Sequence, residues 1–382
     1  MKSPFKASAS ASIGKALSAV GQGDAPAFIE PRGHRVTHGM LLGAARQFAR
    51  AIIETGLRPD QRVAVQMVPS ADRLAILAAL WSIGAVVVPL DPQLDQARRK
   101  LILQGAGPGL IVHDANIDIS SPLMIRQVTT ADLRRAGNDA APGELDSWIA
   151  QGQPDHLAAL VYGAGAQDSM RGVVLDHAAL LAAATGLVRR YQIGLGTRLS
   201  VPLPLNHSVR LVAELVVLLS GAAFSDADDL SHLIVADRPD LAKEATGAPD
   251  FVLASGNGRT IRDLQRRFPM ARVYNSYMRA ELSGVAVCSD PRDPDHTAHS
   301  TSGRPLPGVE VMIVDPRSGM DMLLYEIGEI WIRGVPVMKK YHNDHAATGN
   351  ARDSSGFFRT AELGYLDSEG RVVLSPEGHA QI

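Results

Sequence analysis

The sequence predicts an α/β protein built on two doubly wound, mostly parallel sheets, with a small β-rich, barrel-like subdomain at its distal end. Three patterns carry this expectation. Strands alternate with helices through the first half, a second alternation follows a polar connector, and from Gly303 onward the chain reads as short strands and turns.

Residues 1–14 read as a flexible tail, rich in Ser and Ala. Lys2 and Lys6 precede no apolar run, so the segment is not a secretory signal, and its likeness to a transit peptide is loose. Ala44–Thr55 has helical periodicity, stopped by Gly56, and Arg62–Met67 is a short strand. Ser70 supplies an N-cap hydroxyl to a helix running through Trp81; Leu74, Leu77 and Trp81 share one face, and Gly84 ends it. Ala85–Leu90 is a continuous apolar run, as expected of a strand covered on both faces. A helix over Leu94–Gln104 leads to a strand at Leu110–His113, and the polar stretch Gly137–Asp155 is a connector closing subdomain 15–155.

The second subdomain, 156–300, opens with the strand Ala158–Tyr162 and a helix from His177. The strand Leu199–Leu203, the helix Leu211–Leu219, the strands Leu233–Ala236 and Phe251–Ser255, the helix Ile261–Phe268 and the strand Ala271–Tyr274 follow. The apolar run Leu211–Phe224 is broken by Glu214 and is too short to span a bilayer, so it is a buried helix. Val309–Val314 and Glu329–Arg333 are strands of the β-rich unit, 301–382. His342 and His345 lie in a polar stretch that reads as a surface loop rather than a metal site, and Cys288 lies in a strand-like run as a core residue.

With 38 Lys and Arg against 40 Asp and Glu, the net charge is -2, which gives no electrostatic basis for a nucleic-acid or anionic-membrane partner. Cys288 is the only cysteine, so no intrachain disulfide forms, and a reducing, cytoplasmic setting is expected.

Gly303–Asp367 contains GRPLPGVEVMIVDP, GEIWIRG and GFFRTAELGYLD; GLRPDQRVAVQM and WSIGAVVVPLDPQLDQARRKLIL stand near the start. This succession, over about residues 15–382, resembles the large N-terminal domain of adenylate-forming enzymes: acyl- and aryl-CoA synthetases, adenylation domains of nonribosomal peptide synthetases, and luciferases. The resemblance implies ATP or AMP with Mg as cofactor, an acyl or aryl acid as substrate, and CoA or a carrier protein as partner. Family members normally continue into a smaller domain bearing the lysine that meets the reacting carboxylate. Here Ile382 is the last residue, so that domain is expected to be absent or supplied in trans.

The resemblance aligns Tyr162–Gly172 with the phosphate loop, where Gly163, Gly165, Ser169 and Arg171 are the candidate triphosphate contacts. Ala164 and Ala166 stand where the family has hydroxyls, Asp168 at a usual glycine and Met170 at a usual proline. Each missing hydrogen bond to a charged acceptor costs on the order of 1.5–3 kcal/mol. A carboxylate about 4 Å from a phosphate adds very roughly 1–4 kcal/mol of repulsion. A weakened triphosphate site is the expectation.

On the adenosine side, the resemblance aligns Tyr277-Met278-Arg279-Ala280-Glu281 with a motif whose Tyr stacks on adenine and whose Glu holds Mg. Ala280 has lost a phosphate-contacting hydroxyl, and Met278 replaces the glycine that opens the acyl pocket. Gly256 and Asn257 match the turn bordering adenine. Arg359-Thr360-Ala361-Glu362 matches Arg-Thr-Gly-Asp, placing Glu362 at the ribose hydroxyls. Glu377 and Ala380 replace the arginine and aspartate of the hinge motif. His207 follows Pro-Leu-Pro-Leu-Asn and borders the acyl pocket with Met278 and Arg210; it is either a gating residue or a general base.

Three functions fit these residues. The first is a degenerate adenylation-type domain, impaired in ATP-dependent adenylation and acting as a binding or accessory protein in acyl, aryl or peptide biosynthesis. The second is an active acyl- or aryl-CoA synthetase or carrier-protein ligase completed by a C-terminal domain in trans. The third is a repurposed acyl-transfer or condensation enzyme with His207 as base. Catalytic roles are assigned to Glu281, Arg171 and His207, with Glu281 as the metal ligand.

Overall fold

The computed structural model describes residues 11–21, 23–116, 124–139, 145–163, 170–225, 233–236 and 248–379. The chain opens with α1 (Ile13–Ala19), β1 (Pro26–Ile29), β2 (Arg35–Thr37) and α2 (His38–Glu54). An alternating run follows: β3 (Arg62–Gln66), α3 (Ala71–Ser82), β4 (Val86–Leu90), α4 (Gln96–Ala106), β5 (Leu110–His113), β6 (Arg126–Thr129), α5 (Thr130–Asp139), α6 (Leu145–Gln151), β7 (Leu157–Tyr162) and β8 (Gly172–Asp176). Next come α7 (His177–Tyr191), β9 (Arg198–Ser200), α8 (Ser208–Ser220), β10 (Ala223–Ser225), β11 (Leu233–Ala236), β12 (Phe251–Ala254), α9 (Gly258–Arg267), β13 (Arg272–Arg279) and β14 (Gly284–Cys288). The distal part holds β15 (Arg304–Pro305), β16 (Val309–Val314), β17 (Gly328–Gly334), β18 (Lys340–Tyr341), α10 (His345–Ala351), β19 (Phe358–Leu366) and β20 (Val372–His379).

The α/β class is the one expected. A seven-stranded sheet has the order β18-β8-β7-β4-β3-β5-β6 and a nine-stranded sheet the order β15-β14-β13-β12-β11-β9-β10-β1-β2. Their central strands are parallel; both edges of the nine-stranded sheet and the β8–β18 edge of the seven-stranded sheet are antiparallel, whereas β6 pairs in parallel with β5. The third sheet, β16-β17-β19-β20, is antiparallel and forms the half-barrel expected of the distal β-rich unit. The sheets interleave along the chain: β1 and β2 join the strands after residue 190, whereas β7, β8 and β18 join the earlier ones.

Alternation along buried strands builds the layers. Val63, Val65 and Val87 of the first sheet face one large core with α2, α3, α7 and α8, shared with Leu253 and Tyr274 of the second sheet. Ala64, Val86, Val88 and Leu90 face the other way, under Ile102 and Leu103 of α4. Val252, Ala254 and Val273 are likewise covered by Ile261 and Leu264 of α9. Strands covered on both faces have no polar side to show, hence their continuous apolar runs.

The caps follow the residues that announce them. Ser70 Oγ accepts the N–H of Arg73 at 3.1 Å, and Gly84 turns left-handed after α3. Several elements differ in extent. α2 starts at His38 because Thr37 caps it through the N–H of Met40. β9 stops at Ser200, before Pro202 and Pro204, which lack the ladder N–H. The connector contains α6, whose Leu145 is buried. Residues 11–14 of the expected tail are packed: Ser12 caps α1 and Ile13 is fully buried. Much of the stretch between Gly221 and Phe251 lies outside the described residues. Among those described, no helix is long and apolar enough to cross a membrane.

His177, at the start of α7, is buried and accepts the N–H of Ile13 at Nδ1, 3.3 Å away. Burial, and to a lesser extent His156, lowers its pKa to about 4. The unfolded chain binds this proton near pH 6.5 and the folded chain only near 4, so stability is complete above 6.5 and lost as pH falls between them. At 1.36 kcal/mol per unit the loss is about 3 kcal/mol, and His38, lowered by its own burial, acts in the same direction. Asp290, held at about 2 chiefly by Arg292, weakens folding only below that window. Urea unfolding at pH 7.5 and 5 should show this slope, and His177→Gln should flatten it.

Candidate active site

The site forms where β13 changes partners. Arg272–Asn275 pair in parallel with β12, and Ser276–Arg279 pair antiparallel with β14, with an irregularity between Tyr277 and Met278. A short 3-10 turn, Ala280–Leu282, follows and carries Glu281. Glu281 Oε1 accepts from the Tyr341 hydroxyl at 2.9 Å, and its carbonyl accepts the N–H of Met338 at 2.7 Å. Glu362 comes from β19, in the third sheet.

Arg279 joins the two acids. Its Nη1 donates to Glu362 Oε1 at 3.1 Å and to the Thr360 carbonyl at 2.9 Å, and its Nε lies 3.5 Å from Glu281 Oε2. The guanidinium sits 5.6 Å from the Phe358 ring centroid. Side-chain exposures of 25 % for Arg279, 14 % for Glu281 and 24 % for Glu362 leave the trio shielded from solvent screening. Burial opposes the charge on Arg279, but Tyr277, Glu281 and Glu362 outweigh it and raise its pKa. Tyr341, chiefly through burial and secondly through Glu281, is also raised.

Tyr277, Glu281 and Glu362, named from separate motifs, lie together around Arg279. The stacking role expected of Tyr277 needs correction, because its residue is only 4 % exposed and its ring lies in the main core. Its hydroxyl is buried near Arg279 and Glu362, with no hydrogen-bond partner among the described residues. Sequence reasoning passed over Arg279 as the variable position of its motif. The available signal was a basic residue set between Tyr277 and Glu281.

Other expected contacts are placed elsewhere. Arg171 is exposed, 3.3 Å from Asp344 and 5.5 Å from the Tyr341 ring centroid, so it reaches Glu281 only through Tyr341. Gly163 and Met170 border a cavity of about 620 Å³, while Ala164, Gly165, Ala166, Gln167, Asp168 and Ser169 lie outside the described residues. Arg359 is exposed and stacks over Trp331 at 4.8 Å, whereas its neighbours Phe358 and Thr360 are buried; it does not join the cluster. Asn257 caps α9 through the N–H groups of Arg259 and Thr260, and Asn275 pins Gly256 by two hydrogen bonds. Gly256, Asn257 and Asn275 line a separate cavity of about 460 Å³ with Thr301 and Ser375. Ala361 has φ +58°, in the left-handed region that the family glycine would occupy without strain. Glu377 is described by its backbone alone, and Ala380 lies outside the described residues.

Of the three acyl-pocket candidates, Arg210 alone is among the described residues lining the 620 Å³ cavity. His207 Nδ1 accepts the N–H of Val209 at 3.1 Å and caps α8. An imidazole accepting at Nδ1 carries its proton on Nε2, so in this arrangement His207 is not set up as a base. Arg210 is buried against Glu214, the Val201 carbonyl and the Phe224 ring, and borders the 620 Å³ cavity. Buried Cys288, whose thiol burial pushes up, is a core residue.

Among known proteins, a probable non-canonical nonribosomal peptide synthetase, CymA, of Salinispora arenicola is 27% identical over 378 residues, covering 87% of this chain and 5% of CymA. The 4-coumarate–CoA ligase-like 2 protein of Arabidopsis thaliana is 28% identical over 250 residues, 58% of this chain and 43% of that protein. The chain thus spans less than half the length of either relative. The crystal structure of VinN superposes with a TM-score of 0.83 at 20% identity, covering 96% of this chain and 99% of VinN, which supports the fold. Residues 16–243 and 251–342 match the AMP-binding enzyme family, and the chain belongs to that family.

Proposed function

We propose that this chain is an adenylation-type domain that holds an acyl or aryl acid and an adenine nucleotide weakly, and that its ATP-dependent adenylation is impaired. One observation carries the reading: Glu281 and Glu362, the acids proposed to receive Mg and ribose, are both already engaged by Arg279. In this arrangement the residues do not fit a bound Mg–nucleotide, and Ala280 offers no hydroxyl beside them. Transition-state stabilisation of phosphoryl chemistry is largely electrostatic, so occupied acids and missing donors act directly on rate. In titration calorimetry, AMP and Mg·ATP should bind no tighter than the millimolar range. Pyrophosphate exchange across a panel of carboxylic acids should show no turnover. Clear exchange with any acid overturns the reading.

A second reading is a working acyl- or aryl-CoA ligase or carrier-protein ligase, with CoA or a carrier protein as partner. The matches to a ligase-like protein and a peptide synthetase favour it, as does the retention of both carboxylates. Acid-dependent pyrophosphate exchange with thioester formation on CoA or a carrier protein would establish it.

A further inference from the structure

We propose that Arg279 is a latch on the nucleotide site, its guanidinium lying between Glu281 and Glu362 where metal and ribose would otherwise be received. The inference rests on the nucleotide reading above and goes beyond it by assigning the weakness to one removable side chain.

The geometry is that of a counter-ion. One guanidinium lies within 3.5 Å of both carboxylates, donates to the Thr360 carbonyl and packs on Phe358. Glu362 comes from the third sheet and Glu281 from the turn after β13, so Arg279 also ties two parts of the fold across the site. A ligand that uses the carboxylate oxygens facing Arg279 must displace the guanidinium, and charge-assisted hydrogen bonds between shielded groups resist displacement. Tyr341 holds the other oxygen of Glu281, which leaves that carboxylate little freedom to move instead. Without Arg279 the two carboxylates would face each other with no cation between them, an arrangement that attracts a divalent cation.

The test uses Arg279→Met, which keeps an apolar stem on Phe358, and Arg279→Ala, each checked for folding by circular dichroism. With Mg²⁺ alone at millimolar concentration, the melting temperature of the variants should rise while that of the wild type stays fixed. In calorimetry, AMP and Mg·ATP should bind the variants at least ten-fold tighter than the wild type. Equal or weaker nucleotide binding by the variants overturns the latch and leaves the nucleotide reading standing if the wild type binds. A Mg²⁺ response without any nucleotide binding by wild type or variants overturns both the latch as a nucleotide gate and the nucleotide reading. No response to either ligand also overturns the latch.

Discussion

Glu214→Gln should destabilise the folded protein by about 3–5 kcal/mol, the usual cost of removing one partner from a buried ion pair. Glu214 sits in α8 with its side chain 0% exposed, between Arg73 at 1% and Arg210 at 6%. Arg73 Nε donates to its Oε1 at 2.7 Å and Nη2 to Oε2 at 3.3 Å, and Arg210 Nε reaches Oε1 at 3.3 Å. A glutamine fills the same volume but brings an N–H₂ group toward two guanidiniums, donor against donor. Arg73 Nη1 is already buried without a hydrogen-bond partner among the described residues, so this pocket has no spare acceptor to compensate. The double variant Arg73→Met with Glu214→Leu should be less damaged than Glu214→Gln. It removes a charge of each sign together and leaves Arg210 with the Val201 carbonyl and the cavity it borders. Urea unfolding at pH 7 measures both. A Glu214→Gln variant within about 1 kcal/mol of wild type would mean that the cluster is not electrostatically closed.

That cluster also marks the limit of what the sequence discloses. The burial of α8 was legible from its apolar run, and every residue of the helix is indeed buried. What let Glu214 and Arg210 go inside was not legible, because the compensating cation, Arg73, stands on α3, 141 residues away in sequence. Element positions followed local signals: Ser70 and Gly84 bracket α3, and Leu110–His113 is a strand as expected. Extents failed where tertiary pairing decides. β13 continues through Arg279 because β14 takes over from β12 as its partner, a change that periodicity cannot announce. The candidate site was legible to the same degree. Tyr277, Glu281 and Glu362 could be named one by one from their motifs. The bridging by Arg279, the outward side of Arg359 and the capping role of His207 depend on which strands and helices meet.

Gly303→Ala should destabilise the protein by more than about 4 kcal/mol, beyond the range of ordinary substitutions. Gly303 has φ +90°, and a Cβ built there would lie 2.1 Å from the carbonyl carbon of Cys288 and 2.2 Å from both its oxygen and the nitrogen of Ser289. These atoms are backbone, so no rotamer change relieves the clash. The segments themselves are fixed: Cys288 pairs with Arg304, and the Gly303 carbonyl accepts the N–H of Val372 at 2.8 Å, linking β20 to this turn. Moving Gly303 away would break that bond and disturb the pairing of β14 with β15, while keeping it forces an impossible contact. Gly308→Ala separates the two contributions. Gly308 has φ +80° but nothing within 4 Å of its would-be Cβ, so alanine there pays only the left-handed backbone strain of about 1–2 kcal/mol. Denaturant midpoints of the two variants should therefore differ widely. If Gly303→Ala unfolds no more easily than Gly308→Ala, the close approach of the turn to Cys288 is not part of the folded protein.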